Sequence, residues 1–209
     1  MVKGNRVFKN TDGKLFYELK KVIEEFKIPE YVFTDLLKGI KKDRYPVDIK
    51  TMDELEEYMY CVAGTVGIAV LKIVNYDGNN TNEIARFTGY AVQMTNILRD
   101  IEEDLRMKRI YIPLEHRLII TKSFEIDISS DCFKNLFEFE KNIAISYYKK
   151  ADEFFRINKS PKLLVPAIMK NIYRELLYTL DFNSIKKNHK ISNYKKARAI
   201  LKSFMETLI

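Results

Sequence analysis

The stretch Thr88–Pro113, TGYAVQMTNILRDIEEDLRMKRIYIP, decides how this chain is read. Gln93, Asn96, Asp100 and Asp104 recur at spacings of three and four, so a helix places all of them on one face. Arg106, Lys108 and Arg109 follow. Oxygen donors in a line are what a hard divalent cation requires, and Mg²⁺ is usually held by one or two carboxylates plus a substrate phosphate. The stripe therefore suggests a site for a metal-bound diphosphate. The plainer reading is the solvated side of an amphipathic helix. Against it, Gln93 and Asn96 lie among Ala91, Val92, Met94, Ile97 and Leu98, and an amide in apolar company is unfavourable without a partner.

Working outward, the pattern is helical almost throughout and predicts an all-α fold. Leu15, Leu19, Val22, Ile23 and Phe26 form one apolar stripe. Pro29 ends that helix and opens the next, with Tyr31, Phe33, Leu36, Leu37 and Ile40 as its apolar set. Gly39 and the KKDRYP stretch mark a turn. Thr51 with Glu54 is a capping-box pattern for a helix running to about Val74. Asp77–Asn80 breaks the chain, and Asn80 with Glu83 predicts the next cap, for a helix to about Met107. Helices near Ser130–Arg156, Pro161–Leu180 and Ser192–Leu208 complete the set. Gly64 and Gly67 inside a helix point to a kink or to close approach of another group. Val66, Ile68 and Val70 read as packing residues, and Cys61 as core.

A chain of 209 residues, nearly half of them apolar, can bury a real core, and residues 1–209 read as a single domain. No apolar run is long enough to span a bilayer, and the N-terminus shows no signal-peptide pattern. Cys61 and Cys132 have neither metal-ligand nor disulfide spacing, which fits a cytoplasmic protein. The net charge of +7 is uneven. Lys186, Lys187, Lys190, Lys195, Lys196, Arg198 and Lys202 lie between Ile185 and Lys202 with no acid among them. Such an end reads as a solvated face or as a patch for an anionic membrane surface. No nucleic-acid-binding motif accompanies it, so nucleic acid is not an expected partner. His116 and His189 lack ligand spacing and read as surface residues.

Two segments resemble the signatures of the squalene and phytoene synthases. Tyr58–Gly67, YMYCVAGTVG, is similar to the first. Gly89-x-x-x-Gln93-x-x-Asn96-Ile97-Leu98-Arg99-Asp100-x-x-x-Asp104, closing with Arg109–Pro113, is similar to the second. They stand in order and at the usual separation, and the similarity runs from about Leu15 to about Ala199, including GIKKD at Gly39–Asp43 and NIYRELLYTL at Asn171–Leu180. The resemblance implies an isoprenoid-synthase helical bundle and a Mg²⁺-dependent head-to-head condensation of two prenyl diphosphates, such as farnesyl or geranylgeranyl diphosphate. Asn96, Asp100 and Asp104 would hold the metal, with Asp100 and Asp104 as the catalytic pair. Tyr58, Val62, Gly67, Gln93, Asn96 and Arg109 would bind substrate. Arg99 and Arg109 would offset diphosphate charge, although Arg99 points nearly opposite Gln93 and Asn96 on a helical wheel. Tyr111 and Tyr173 are further pocket candidates. The YxYxVAGTVG form is closer to the phytoene and dehydrosqualene synthases than to squalene synthase proper, and an insoluble product favours peripheral contact with a membrane.

These enzymes carry two acidic motifs, and only the second is found. No DxxxD helix stands in the lead MVKGNRVFKNTDG, so the chain reads as the C-terminal two thirds or so of the bundle, without its first helices. That leaves open an active enzyme, one half of a split enzyme with a separate N-terminal half, a truncated product, or a non-catalytic homologue acting as a binding or assembly protein.

Overall fold

The computed structural model describes residues 10–182 and 191–208. Lys186, Lys187, Lys190 and His189 therefore lie outside the described residues. Helices α1 (Asn10–Glu25) and α2 (Glu30–Lys42) lead to a short strand β1 (Val47–Asp48), then α3 (Met52–Met59), a π-helical segment (Tyr60–Gly64) and α4 (Thr65–Ile73). Next come the long helix α5 (Thr81–Arg106), strand β2 (Arg109–Ile110) and helices α6 (Leu114–Ile120) and α7 (Asp131–Ile157). A 3₁₀ turn (Pro161–Leu163), α8 (Leu164–Thr179) and α9 (Asn193–Leu208) complete the described chain. The all-α expectation holds, with one two-stranded parallel pair added.

Helix α5 is the axis of the bundle. Ile84, Ala85, Tyr90, Ala91, Met94, Thr95, Ile97, Leu98 and Ile101 are buried, more of its circumference than the single stripe of a surface helix. The core around it includes Leu55, Met59, Phe133, Phe137, Tyr147, Tyr148 and Leu177. Thr95 Oγ1 donates to the Ala91 carbonyl at 2.8 Å and lies 3.0 Å from the Tyr148 hydroxyl, which fixes α7 against α5. A second cluster, with Val32, Ile68, Leu71, Ile84, Phe155 and Leu163, joins α2, α4 and α8 to the other end.

The Thr51 cap forms, since its side chain accepts from Glu54 N–H at 3.2 Å. The returning carboxylate bonds Lys50 N–H at 2.9 Å, one residue earlier than a capping box requires. The cap expected at Asn80 does not form. Asn80 is left-handed, with φ 60°, and makes no side-chain cap hydrogen bond. Instead Thr81 Oγ1 donates to the Gly78 carbonyl at 2.6 Å. Helix α6, which lies outside the helices expected from the sequence, is short but well anchored. Arg117 is fully buried, with its guanidinium on Asp48 and the Phe124 carbonyl. His116 is also buried, its Nδ1 2.7 Å from Glu140 Oε1, which corrects the surface reading. Burial lowers the His116 pKa, but the Glu140 carboxylate outweighs it and holds the ring above its ordinary value.

Candidate active site

The four-residue stripe on α5 is not a solvated face: Gln93, Asn96, Asp100 and Asp104 are all half-buried. Asn96 Nδ2 donates to Gln93 Oε1 at 3.4 Å. Its Oδ1 is buried and, among the described residues, has no hydrogen-bond partner. One turn on, Arg99 grips Asp100 in a fork, Nε to Oδ1 at 2.7 Å and a terminal nitrogen to Oδ2 at 2.5 Å. The helical wheel separates Arg99 from the stripe, yet its long side chain folds back onto it. Burial and the Asp100 charge push the Asp104 pKa up to about 6, with Asp43 and Glu103 adding to the push and Arg109 opposing it. An orphaned carbonyl oxygen beside crowded carboxylates fits a hard divalent cation, which would complete the one and neutralise the others. Among the described residues, however, no three His, Cys, Asp or Glu side chains gather closely enough to hold a metal by themselves.

Asp43, at the C-terminal end of α2, organises the second part of the site. Its carboxylate accepts from the Tyr111 hydroxyl at 2.7 Å and the Tyr58 hydroxyl at 3.2 Å. Its carbonyl accepts from the Arg109 guanidinium at 2.7 Å. The Tyr58 and Tyr111 rings stack at 4.9 Å. Burial, followed by these hydrogen-bonded neighbours, drives the Tyr58 hydroxyl far above its ordinary pKa, so it stays a donor. The strand pair sets this geometry. Val47 N–H bonds the Lys108 carbonyl at 3.1 Å and Ile49 N–H the Ile110 carbonyl at 3.0 Å, tying the segment after α2 to the segment after α5. Lys108, with φ 58°, supplies the left-handed turn from helix into strand. Asp43 was not singled out as a site residue in the sequence. It lies in a charged stretch that looks solvated, and its partners are 15 and 68 residues away.

The third part is an apolar cavity of about 170 Å³ lined by residues of the π segment, α4, α5 and α8. Val62, Gly67, Gln93 and Asn96 line it together, while Tyr58 and Arg109 lie in the Asp43 cluster instead. Val66 and Val70, read as packing residues, also form its wall, with Pro166 and Met169 opposite. Ile68 is buried as expected. Tyr173 is half-buried, packs against the core and is a neighbour of Arg99. The cavity wall depends on close backbone approach. A Cβ on Gly89 would meet backbone atoms of Ala63 and Gly64 at 2.8 Å, and one on Gly67 would meet the Ala85 carbonyl oxygen at 3.0 Å. The π segment widens the helix there, with Thr65 N–H bonding back to the Tyr60 carbonyl. The sequence glycines thus mark both a helical irregularity and close packing.

The family model for squalene/phytoene synthases matches residues 4–187. A 15-cis-phytoene synthase of Synechocystis is 31% identical over 179 residues, 78% of this chain and 52% of the relative. A 4,4'-diapophytoene synthase of Staphylococcus haemolyticus is 26% identical, over 89% of this chain and 68% of its own. The chain spans about half the length of the plant and cyanobacterial phytoene synthases at the head of the matches. Among solved structures, a dehydrosqualene synthase with bound ligand superposes with a TM-score of 0.71 at 28% identity, covering 90% of this chain and 68% of that one. A squalene synthase of Alicyclobacillus acidocaldarius, at 19% identity and a TM-score of 0.65, shares the fold. Among the described residues, no helix is long and apolar enough to cross a membrane.

Proposed function

The chain belongs to the squalene/phytoene synthase family, and we propose that it works as a prenyltransferase of the phytoene or dehydrosqualene synthase type, joining two prenyl diphosphates head to head in isoprenoid or carotenoid synthesis. The observation that carries this reading is Asn96 Oδ1, a buried acceptor that has no partner among the described residues, on a side chain that lines an apolar cavity. Asn96, Asp100 and Asp104 are the proposed holders of Mg²⁺, which when bound supplies Lewis-acid stabilisation of a departing diphosphate. The cavity takes the apolar tail of the substrate and keeps water from it. Arg99 exchanges its Asp100 fork for diphosphate oxygens, since guanidinium pairs equally well with either. Arg109, held by the Asp43 carbonyl, offers further positive charge beside Asp104. Tyr58 and Tyr111, kept protonated, are available as hydrogen-bond donors. The proposed setting is the cytoplasm, with peripheral membrane contact.

The absence of three metal-holding side chains in one group, among the described residues, favours a second reading. In it the chain is a half-enzyme or a non-catalytic binding protein whose remaining ligands come from a separate polypeptide. One experiment separates the two. The chain is incubated with farnesyl or geranylgeranyl diphosphate and Mg²⁺, beside Asp100→Asn. Head-to-head product that disappears in the variant supports the first reading. No product from a protein with a cooperative melt rejects it and turns the search to the missing half.

A further inference from the structure

Helix α9 is built inside out. Ala199, Ser203 and Thr207 are buried. Ser203 Oγ accepts from Asn171 Nδ2 at 2.9 Å, and Glu206 Oε2 accepts from Lys170 Nζ at 3.0 Å. The side turned to the protein is thus small or polar, and the large apolar side chains point the other way. Tyr194, Leu201, Phe204, Met205 and Leu208 recur at spacings of three, four and seven, so they share a face. All are exposed, Leu201 by 66% and Met205 by 59%. A helix that covers a core carries its apolar stripe inward, and this one carries it outward. Exposed Tyr178 of α8 joins Leu201 and Met205 along one surface groove, so the patch extends past a single helix. Lone exposed apolar residues need no explanation, but a contiguous patch marks an interaction surface.

Charge identifies the occupant. Arg198 and Lys202 line the same groove, where Glu175 accepts from the Arg198 guanidinium at 2.5 Å, and Lys195 and Lys196 sit at the start of the helix. Glu206 is the only acid of α9, and it lies 3.0 Å from Lys170 Nζ and 3.5 Å from Lys202 Nζ, while Lys195 and Lys196 make no ion pair among the described residues. An apolar face with a cationic edge lies in the plane of a bilayer, with its apolar side chains in the acyl boundary and its cations among the headgroups. A second copy of the chain would bring the same cations to that edge, where like charges repel. We propose that the outward face of α9, together with Tyr178, seats the protein on an anionic lipid surface. This gives the peripheral contact named above a location, and it rests on the surface alone, not on prenyl transfer. Helix α8, which packs on α9, also carries Pro166 and Met169 into the cavity wall, so the cavity lies one helix away from the lipid.

The test is co-sedimentation of the full chain, without substrate, with mixed phosphatidylcholine–phosphatidylglycerol vesicles and with phosphatidylcholine alone. Binding to the mixed vesicles is expected to be roughly tenfold or more tighter, and to weaken with salt. Leu201→Ser with Phe204→Ser should reduce it roughly tenfold or more with an unchanged melt. Lys195→Gln with Lys202→Gln should reduce it about fivefold per cation. Equal binding to both vesicle types, no binding, or binding indifferent to Leu201→Ser with Phe204→Ser overturns the proposal. So does a concentration-dependent dimer abolished by that pair, which would assign the face to a second copy. Because no substrate is present, failure here leaves the prenyl-transfer reading standing, and the converse holds.

Discussion

Asp104 on α5 and Asp152 on α7 are both half-buried, and their surroundings act on them in opposite senses. Asp152 accepts from Lys170 Nζ and from the Arg174 guanidinium, each at 2.5 Å. Burial raises its pKa, but these two cations outweigh it and hold it below the ordinary carboxylate range. Lys170, fully buried, also reaches Glu206 and stands 4.2 Å over the Phe155 ring. That grouping is neutralised from within and binds α7, α8 and α9 together. At Asp104 the carboxylates of Asp100, Asp43 and Glu103 add to the burial penalty instead, and Arg109 opposes them without cancelling it. One charge cluster is complete as it stands, and the other keeps an excess of carboxylate repulsion, which the proposed cation would relieve. Buried charge by itself does not distinguish a structural network from a candidate site, but the balance of charge does.

The largest expected effects cross between the two regions. Lys170→Met removes a buried partner and should destabilise the fold by about 3 kcal/mol, read by urea unfolding, while Mg²⁺ binding by the folded fraction is unchanged. Asp104→Asn should do the reverse. Product formation should fall on the order of 10³-fold, given the several kcal/mol that metal stabilisation contributes, with stability held or increased. If Asp104→Asn unfolds the protein and Lys170→Met leaves it stable, the contrast is wrong.

A smaller effect concerns pH, in metal-free protein. The Asp152 pKa is depressed, so its contribution is present above the unfolded value of 3.8 and is lost as pH falls through the folded value. Asp152→Asn should therefore flatten the acid limb of stability. The Asp104 pKa is raised, so its contribution is complete below 3.8 and is lost as pH rises through about 6. Asp104→Asn should raise stability at pH 7 relative to pH 5. Thermal melts across this range decide, and shifts of the same sign in both variants would remove the comparison.

What the sequence could show follows the range of the interactions involved. Helices α2, α3, α5, α7 and α8 are legible because their apolar periodicity is local and long, and the α5 stripe because its spacing is helical. The Thr51 cap is legible for the same reason, while Asn80 went to a left-handed turn that its side chain tolerates. Helix α6 is too short to show a period, so His116 looked like a surface residue although it has a buried partner in Glu140. Val66 and Val70 look like any packing valines, since only the placing of α5 and α8 opens a cavity beside them. The unpaired oxygen of Asn96 is visible only once its neighbours are placed.

Asp43 is the clearest case of a role that sequence spacing hides, and it provides the finest test of the contrast. Its carboxylate orders two hydroxyls and its carbonyl orders a guanidinium, so it acts on the site through Tyr58, Tyr111 and Arg109. Asp43→Asn keeps the carbonyl bond to Arg109, because that is backbone, and keeps one side-chain acceptor. It loses the charge assistance to both hydroxyls and the acceptor for one of them, which should weaken stability by about 1–2 kcal/mol and product formation by roughly tenfold, a fraction of the Asp104→Asn effect. Tyr58→Phe in the Asp43→Asn background should add less than it does alone, since residues sharing one network are not additive. Full additivity of the two changes would mean that Asp43 and Tyr58 serve the site separately, and a loss as large as that of Asp104→Asn would move Asp43 from positioning the site to holding its cation.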